Sequence, residues 1–288
     1  MELNQFISGE KFQGIADISF IPIGGSVGES ECDFVKTQQA NNNYNVFYYS
    51  ENTTVTDLPG VKTIFVNTWT LPKFLRVIFP QLKGKYTFIS HNSDMGLAHE
   101  YRSVLDSDKV IKWFSQNKSI DHPKAFSLPI GLGNRQYPHG NVNMLNSIIT
   151  KNKQKTKIAY KNFSVETNPG VRSVIDIVTN NNGFVMQKKT LQEEYFESIA
   201  DHVYCFSPPG NGIDCHRIWE CLYLKTVPIV EDHECFRDFK HLPILFVNNW
   251  DKVNMEFLKN NLTLVNKFDS NIPELTMKYW EDKILCSV

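Results

Sequence analysis

The chain has 288 residues, 41% of them hydrophobic and 21% charged, and its 30 basic residues face 31 acidic ones for a net charge of -1. That composition is of an ordinary globular protein, and at roughly 100 to 200 residues per domain the length implies two domains with a cleft. A near-neutral balance excludes a general field for nucleic acid or anionic membrane; the opening MELNQFISGEKFQG has no signal-peptide pattern, and no apolar run approaches the roughly 18 residues of a membrane span.

In the first half, short apolar runs predict strands over Ile18–Ile23, Val46–Tyr49, Thr63–Val66, Tyr86–Ser90, Val110–Trp113 and Phe126–Leu128, with one clear helix over Leu71–Phe79. The polar, basic run from Lys151 to Lys157 has no apolar period, so a hinge is expected there, with the boundary near residue 153. Beyond it, strands over Lys157–Tyr160, Phe184–Met186, Val203–Phe206, Val227–Val230 and Ile244–Val247 alternate with helices over Val171–Thr179, Leu191–Ile199, His216–Leu224 and a shorter one near Cys235. This is the pattern of a doubly wound parallel sheet, so the expected class is α/β with domains at 1–153 and 154–265. A terminal segment, 266–288, carries an amphipathic helix over Leu275–Leu285 that has to pack back on another surface. The tracts Asn41–Asn43 and Asn180–Asn182 read as loops.

Cys32, Cys205, Cys215, Cys221, Cys235 and Cys286 form no C-x-x-C pair and no zinc-ligand spacing, which fits reduced thiols in a cytoplasm. The expected strand over Val203–Phe206 runs straight into Ser207, Pro208, Pro209, Gly210, Asn211, Gly212, Ile213 and Asp214, and then into a helix bearing His216, Arg217 and Glu220. Ligands of open α/β sheets bind beyond the carboxyl ends of strands, where a helix N-terminus favours phosphate. Gly210 and Gly212 allow close backbone approach, Arg217 can pair with diphosphate oxygens in bidentate fashion, and Glu220 can accept from ribose hydroxyls. The plainer reading of the same residues is a tight turn, an Asp214 helix cap and an i,i+3 ion pair between Arg217 and Glu220.

The stretch Tyr204–Val230, YCFSPPGNGIDCHRIWECLYLKTVPIV, resembles the signature of exostosin-like glycosyltransferases. The resemblance implies a GT-B architecture, two Rossmann-like domains facing a cleft, and transfer of a sugar from a nucleotide diphosphate with inversion at the anomeric carbon. It places Arg217 and Glu220 on the diphosphate and the nucleotide ribose, and makes the first domain the acceptor side and the second the nucleotide-sugar side. The likeness extends over about Lys157 to Asp251 and departs from the family at Lys225, where a small residue, often Gly, is usual. The compact bacterial and viral members, including viral xylosyltransferases, are the better comparison, which puts the chain in the cytoplasm, of the host if the source is viral. The implied partners are a nucleotide sugar, a UDP-sugar first, and a glycan acceptor, with no cofactor and no essential metal. Oligomeric state is left open.

A second phosphate contact is expected at Arg172, in the first turn of a helix opened by Pro169 after FSVETNPGVR; its plain alternative is a solvated Arg on a capped helix. An inverting transfer needs a base for the acceptor hydroxyl, and the strand end FISHNSD offers Asp94 first and His91 second, against a structural His and an Asp94 helix cap. The run Ser127–Arg135, rich in Gly and Pro, lines the acceptor side or simply shapes a loop. Asp106 and Asp108 form the D-x-D triplet of metal-dependent transferases, but their setting reads as a solvated turn. Trp69, Trp113, Trp219 and Trp250 are candidate stacking platforms, with Trp219 better explained by helix packing. Two rivals stand beside the main reading: a non-catalytic nucleotide-sugar or glycan-binding protein, and a metal-dependent transferase using Asp106 and Asp108.

Overall fold

Two parallel sheets organise the chain, one in each of two compact units: Gly9–Pro129 with Trp280–Val288, and Ile130–Tyr279 with Met1–Ser8. The computed structural model describes residues 2–23 and 45–285; Cys32, Cys286 and the Asn41–Asn43 tract lie outside the described residues.

The first unit contains α1 (Gly9–Ile15), β1 (Ile18–Pro22), β2 (Val46–Tyr49), β3 (Thr63–Asn67), α2 (Leu71–Val77), β4 (Tyr86–His91), α3 (Arg102–Leu105), β5 (Val110–Ser115) and β6 (Ala125–Ser127). Its six strands run parallel in the order β2-β1-β3-β4-β5-β6, so every strand expected in this half is present. All six residues of β4 are buried, as befits a central parallel strand covered on both faces. The core around it is aromatic: Phe20, Phe74, Phe88 and Trp113 are all fully buried, and Phe88 stacks on Trp113 with centroids 4.6 Å apart.

The second unit contains α4 (Val142–Thr150), β7 (Lys157–Tyr160), α5 (Pro169–Asn181), α6 (Gln192–Asp201), β8 (His202–Phe206), α7 (His216–Tyr223), β9 (Val227–Glu231), β10 (Leu245–Val247) and α8 (Met255–Asn260). Its four strands are parallel in the order β10-β9-β8-β7, over a core that includes Tyr204, Phe206, Val227, Ile229 and Trp250. The expected strand at Phe184–Met186 is not a strand. Gly183 turns the chain at φ 90, Val185 faces solvent, and the segment is held instead by Gln187 N donating to Lys161 O and by Lys161 Nζ donating to Phe184 O at 2.9 Å. A final helix, α9 (Met277–Leu285), begins in the second unit and ends in the first, where Trp280 is fully buried edge-on to Phe12 at 5.9 Å. Of the expected terminal segment, residues 266–279 belong to the second unit and only those from Trp280 onward to the first. Among the described residues no helix is long and apolar enough to cross a membrane.

The units divide between Pro129 and Ile130, not at residue 153. The run that reads as a hinge is tied down along its length. Lys151 and Lys153 both pair with Glu197 of α6, Lys155 Nζ caps Leu224 O at 2.8 Å, and Lys157 pairs with Asp201 at 2.8 Å. A basic run without apolar period looks like a linker in sequence because its anchors are charges on a helix some forty residues later.

Lys225 follows α7 with φ 53, and its N–H and that of Thr226 return to Leu222 O and Cys221 O, closing a Schellman turn. A side chain in this left-handed conformation costs about 1–2 kcal/mol. Lys225→Gly is expected to stabilise the protein by about 1 kcal/mol, seen as a higher denaturant midpoint at unchanged slope.

Candidate functional site

The chain leaves β7 and β8 at the same edge of the second sheet, and the two exits are joined by the first turn of α5. Arg172, buried there, donates from Nη1 to Ser164 O (2.8 Å), from Nε to Pro209 O (2.9 Å) and from Nη2 to Pro208 O (3.1 Å), while Asn168 Nδ2 donates to Gly210 O (2.9 Å). Gly210 gives its own N–H to Gly212 O, and a Cβ on it would stand 3.0 Å from Arg172 Nη2. Its missing side chain thus makes room for the guanidinium. The expectation that Arg172 reaches out to phosphate is corrected: it is turned inward and holds the loop's carbonyls. None of its hydrogen-bond partners is a carboxylate, so its charge stays uncompensated beneath the loop and adds a positive potential there.

Asp214 closes the loop from the other side. Its carboxylate accepts from Ile130 N at 2.6 Å and from Trp219 Nε1 at 2.9 Å; burial pushes its carboxyl up to about 7, against the pull of those donors. Asp214 is a brace for the loop and for the stretch after Pro129, not a ligand-facing group. Ile130, Gly131 and Leu132 of the expected acceptor run are buried in this second unit. Ser207 extends β8 by donating its N–H to Ile229 O, and its hydroxyl is fully buried with no hydrogen-bond partner among the described residues; Pro209 and Gly212 are buried, and Asn211 is exposed at the loop tip.

The first turn of α7 faces a cleft of about 860 Å³, whose walls include Asn162, Phe163, Glu166, Gln187, Lys189, Tyr195, His139 and Arg217. Arg217 is half-buried, its Nε donates to Tyr195 Oη at 3.1 Å, and Tyr195 in turn donates to Glu220 Oε2 at 2.9 Å. The guanidinium also lies 5.8 Å from the Tyr195 ring centroid. Of the five N–H donors of an Arg, the four on its terminal nitrogens have no hydrogen-bond partner among the described residues, leaving the planar fork open on a concave wall. Glu220 lies buried beneath Tyr195; burial raises its carboxyl, with Arg217 and the Tyr195 hydroxyl lowering it. His216 donates Nδ1–H to Gly131 O at 2.8 Å and is held neutral, burial pushing it down to about 4.

No family model and no curated protein matches the chain. Among solved structures it is similar to the N-terminal domain of trehalose-6-phosphate phosphatase from Candida albicans, at 12% identity and TM-score 0.48, covering 96% of this chain and 91% of that one. It is also similar to a UDP-forming α,α-trehalose-phosphate synthase from Burkholderia xenovorans, at 9% identity and TM-score 0.47, covering 94% and 98% of the two chains.

In the first unit the two expected bases part company. His91 is 2% exposed; it donates Nε2–H to Pro129 O at 3.0 Å and accepts Asn92 N–H on Nδ1 at 2.6 Å, so both nitrogens are used. It is a structural histidine. Asp94 is exposed in the loop after β4, with its carbonyl accepting from Asn117 Nδ2 at 3.0 Å, and no helix starts there. Asp106 follows the single turn of α3 and pairs with His122 at 3.1 Å; among the described residues no three His, Cys, Asp or Glu side chains are gathered to hold a metal ion. Trp113, Trp219 and Trp250 are core residues, and Trp69 is 52% exposed.

Sequence reasoning missed Tyr195 and His139. Tyr195 sits in a helix whose pattern announces only an amphipathic element, and nothing local shows that its hydroxyl bridges Arg217 and Glu220. His139 stands in a short turn with no motif around it.

Proposed function

We propose that the chain is an inverting glycosyltransferase of the exostosin-like type, moving a sugar from a nucleotide diphosphate to a hydroxyl of a glycan acceptor. UDP-sugars, UDP-xylose among them, are the first donors to test. One observation carries the reading: the half-buried Arg217 offers an unengaged bidentate fork to a cleft at the carboxyl edge of a parallel sheet, where diphosphates bind in open α/β folds. The uncompensated charge of Arg172 behind the loop supports it, because the free site has more positive charge than its surroundings neutralise. The Tyr204–Val230 signature supports the family.

In this reading the departing diphosphate is stabilised by Arg217 and the first turn of α7, and charge develops there as the anomeric bond breaks in line with the attacking hydroxyl. Asp94, an exposed carboxylate, is the proposed acceptor for the hydroxyl's proton. No cofactor is required, and a transfer that relies on cationic side chains is expected to survive a chelator.

A thermal-shift screen over UDP- and GDP-sugars tests the proposal. A ligand at about 100 times its Kd adds about 2.7 kcal/mol, roughly 5 °C or more in Tm for a chain of this size. A stabilising donor that then slowly releases free sugar without an acceptor marks an enzyme. Saturable binding with no turnover against any glycan tried marks a binding protein, and no shift with any nucleotide sugar ends the reading.

A further inference from the structure

His139 lines the same cleft as Arg217, and the protein builds an unusual seat for it. Tyr137 lies flat on the imidazole, with centroids 5.3 Å apart and planes 7° from parallel. Beneath the ring's edge is Gly133, where a Cβ would come within 2.3 Å of His139 Cδ2, so only glycine leaves the ring room. The ring is positioned by stacking and by shape. Among the described residues neither of its nitrogens has a hydrogen-bond partner, whereas His216, His91 and His122 are held through their nitrogens. A ring that is oriented and yet unengaged, on the wall of a cleft, is arranged to meet a ligand.

We propose that His139 is the second cation for the diphosphate, taking up a proton as the anion seats between it and Arg217. This rests on the nucleotide-sugar reading of the cleft. The groups around the imidazole favour a charge that comes with the ligand. Tyr137 stacks on the ring; His216, with its ring centroid 5.5 Å away on α7, is neutral and donates to Gly131 O; Arg217 is a permanent cation. The remaining charged groups lining the cleft are Glu166, Asp176 and Lys189, with Tyr195 bonded to Glu220. Asp176 is paired with Lys161, whereas Glu166, bonded by Ser164 Oγ, stays ionised on the exposed side of the cleft and competes with the diphosphate for an imidazolium. His139 is exposed on the cleft wall, and the partial burial of its ring in the free protein lowers its affinity for a proton below that of an ordinary histidine. A dianionic diphosphate reverses that balance, so binding raises the pKa and affinity is highest at low pH, falling as pH rises from the free value toward the bound one.

The test measures binding of the tightest UDP- or GDP-sugar from the screen between pH 5.5 and 8, where its diester diphosphate has no proton to lose. For the parent protein Kd is expected to rise with pH across this range, by up to tenfold per pH unit, and calorimetry in two buffers of different ionisation enthalpy is expected to show uptake of between half and one proton per ligand at pH 7. His139→Gln is expected to bind about tenfold more weakly at pH 6, with a Kd that changes less than twofold over the range. A parent with no proton uptake overturns the assignment, even should the variant fail to fold. A variant that keeps the parent's slope overturns it as well. If no nucleotide sugar binds, or Arg217→Ala binds as well as the parent, the reading of the cleft itself falls; if binding needs Arg217 but ignores pH, only His139 is wrongly assigned.

Discussion

Arg217→Ala is expected to lower kcat/KM for sugar transfer or donor hydrolysis by about 100- to 1,000-fold while the protein stays folded. The size follows from what the side chain offers. A preorganised donor aimed at developing charge is worth about 3–4 kcal/mol when removed, a hundredfold to a thousandfold in rate, and the fork is lost here as one such group. The fold should tolerate the loss, because Tyr195 keeps its bond to Glu220 and Arg217 makes a single hydrogen bond of its own among the described residues. Arg217→Lys keeps the charge but not the paired geometry, so an intermediate loss of about tenfold to thirtyfold is expected. Tyr195→Phe frees Arg217 Nε and strips Glu220 of its donor, and should cost less than the Ala variant. Steady-state kinetics with parallel melting curves checks the series. Full activity in Arg217→Ala would remove the residue from the site and the proposed chemistry with it.

The distribution of what was legible has a physical basis. The strands of the first unit were readable because buried parallel strands are short continuous apolar runs, and the loop after β8 was readable because Gly and Pro mark a turn at a strand's carboxyl end. Position along the chain told where the loop lies. It did not tell which way each side chain turns. Arg172, from α5, and Asp214, from the loop itself, both face the interior of the Ser207–Asp214 loop, since the carbonyls that claim Arg172 belong to Pro208 and Pro209, some three dozen residues on, and the donors that claim Asp214 include Ile130 N from far upstream. The hinge expected near residue 153 failed for the same reason, its lysines being neutralised by Glu197 and Asp201 in α6. Phe184–Met186 was apolar enough for a strand, yet Lys161 and Gly183 hold it as a loop on the cleft's rim.

Arg172 supplies the sharpest test of that distinction. Were it a phosphate ligand, Arg172→Met would abolish nucleotide affinity and leave the melting temperature alone. The geometry calls for a different outcome. Removing the guanidinium leaves Ser164 O, Pro208 O and Pro209 O without their donor, and the two buried carbonyls, those of Pro208 and Pro209, each cost about 1–3 kcal/mol. Some of that is recovered, because burying an uncompensated cation is itself unfavourable and Met fills much of the volume beside Phe163, whose ring lies 5.7 Å from the guanidinium. A net loss of about 3 kcal/mol is expected, roughly 6–10 °C in Tm, with nucleotide affinity falling in step as the Ser207–Asp214 loop loosens. The two effects separate at low temperature. In the cold, where the folded state of the variant predominates, saturating donor should restore most of the transfer rate, since Arg217 and the first turn of α7 are still in place. A variant that melts like the parent but binds no nucleotide at any temperature would return Arg172 to the diphosphate and undo the account of the loop given by its hydrogen bonds.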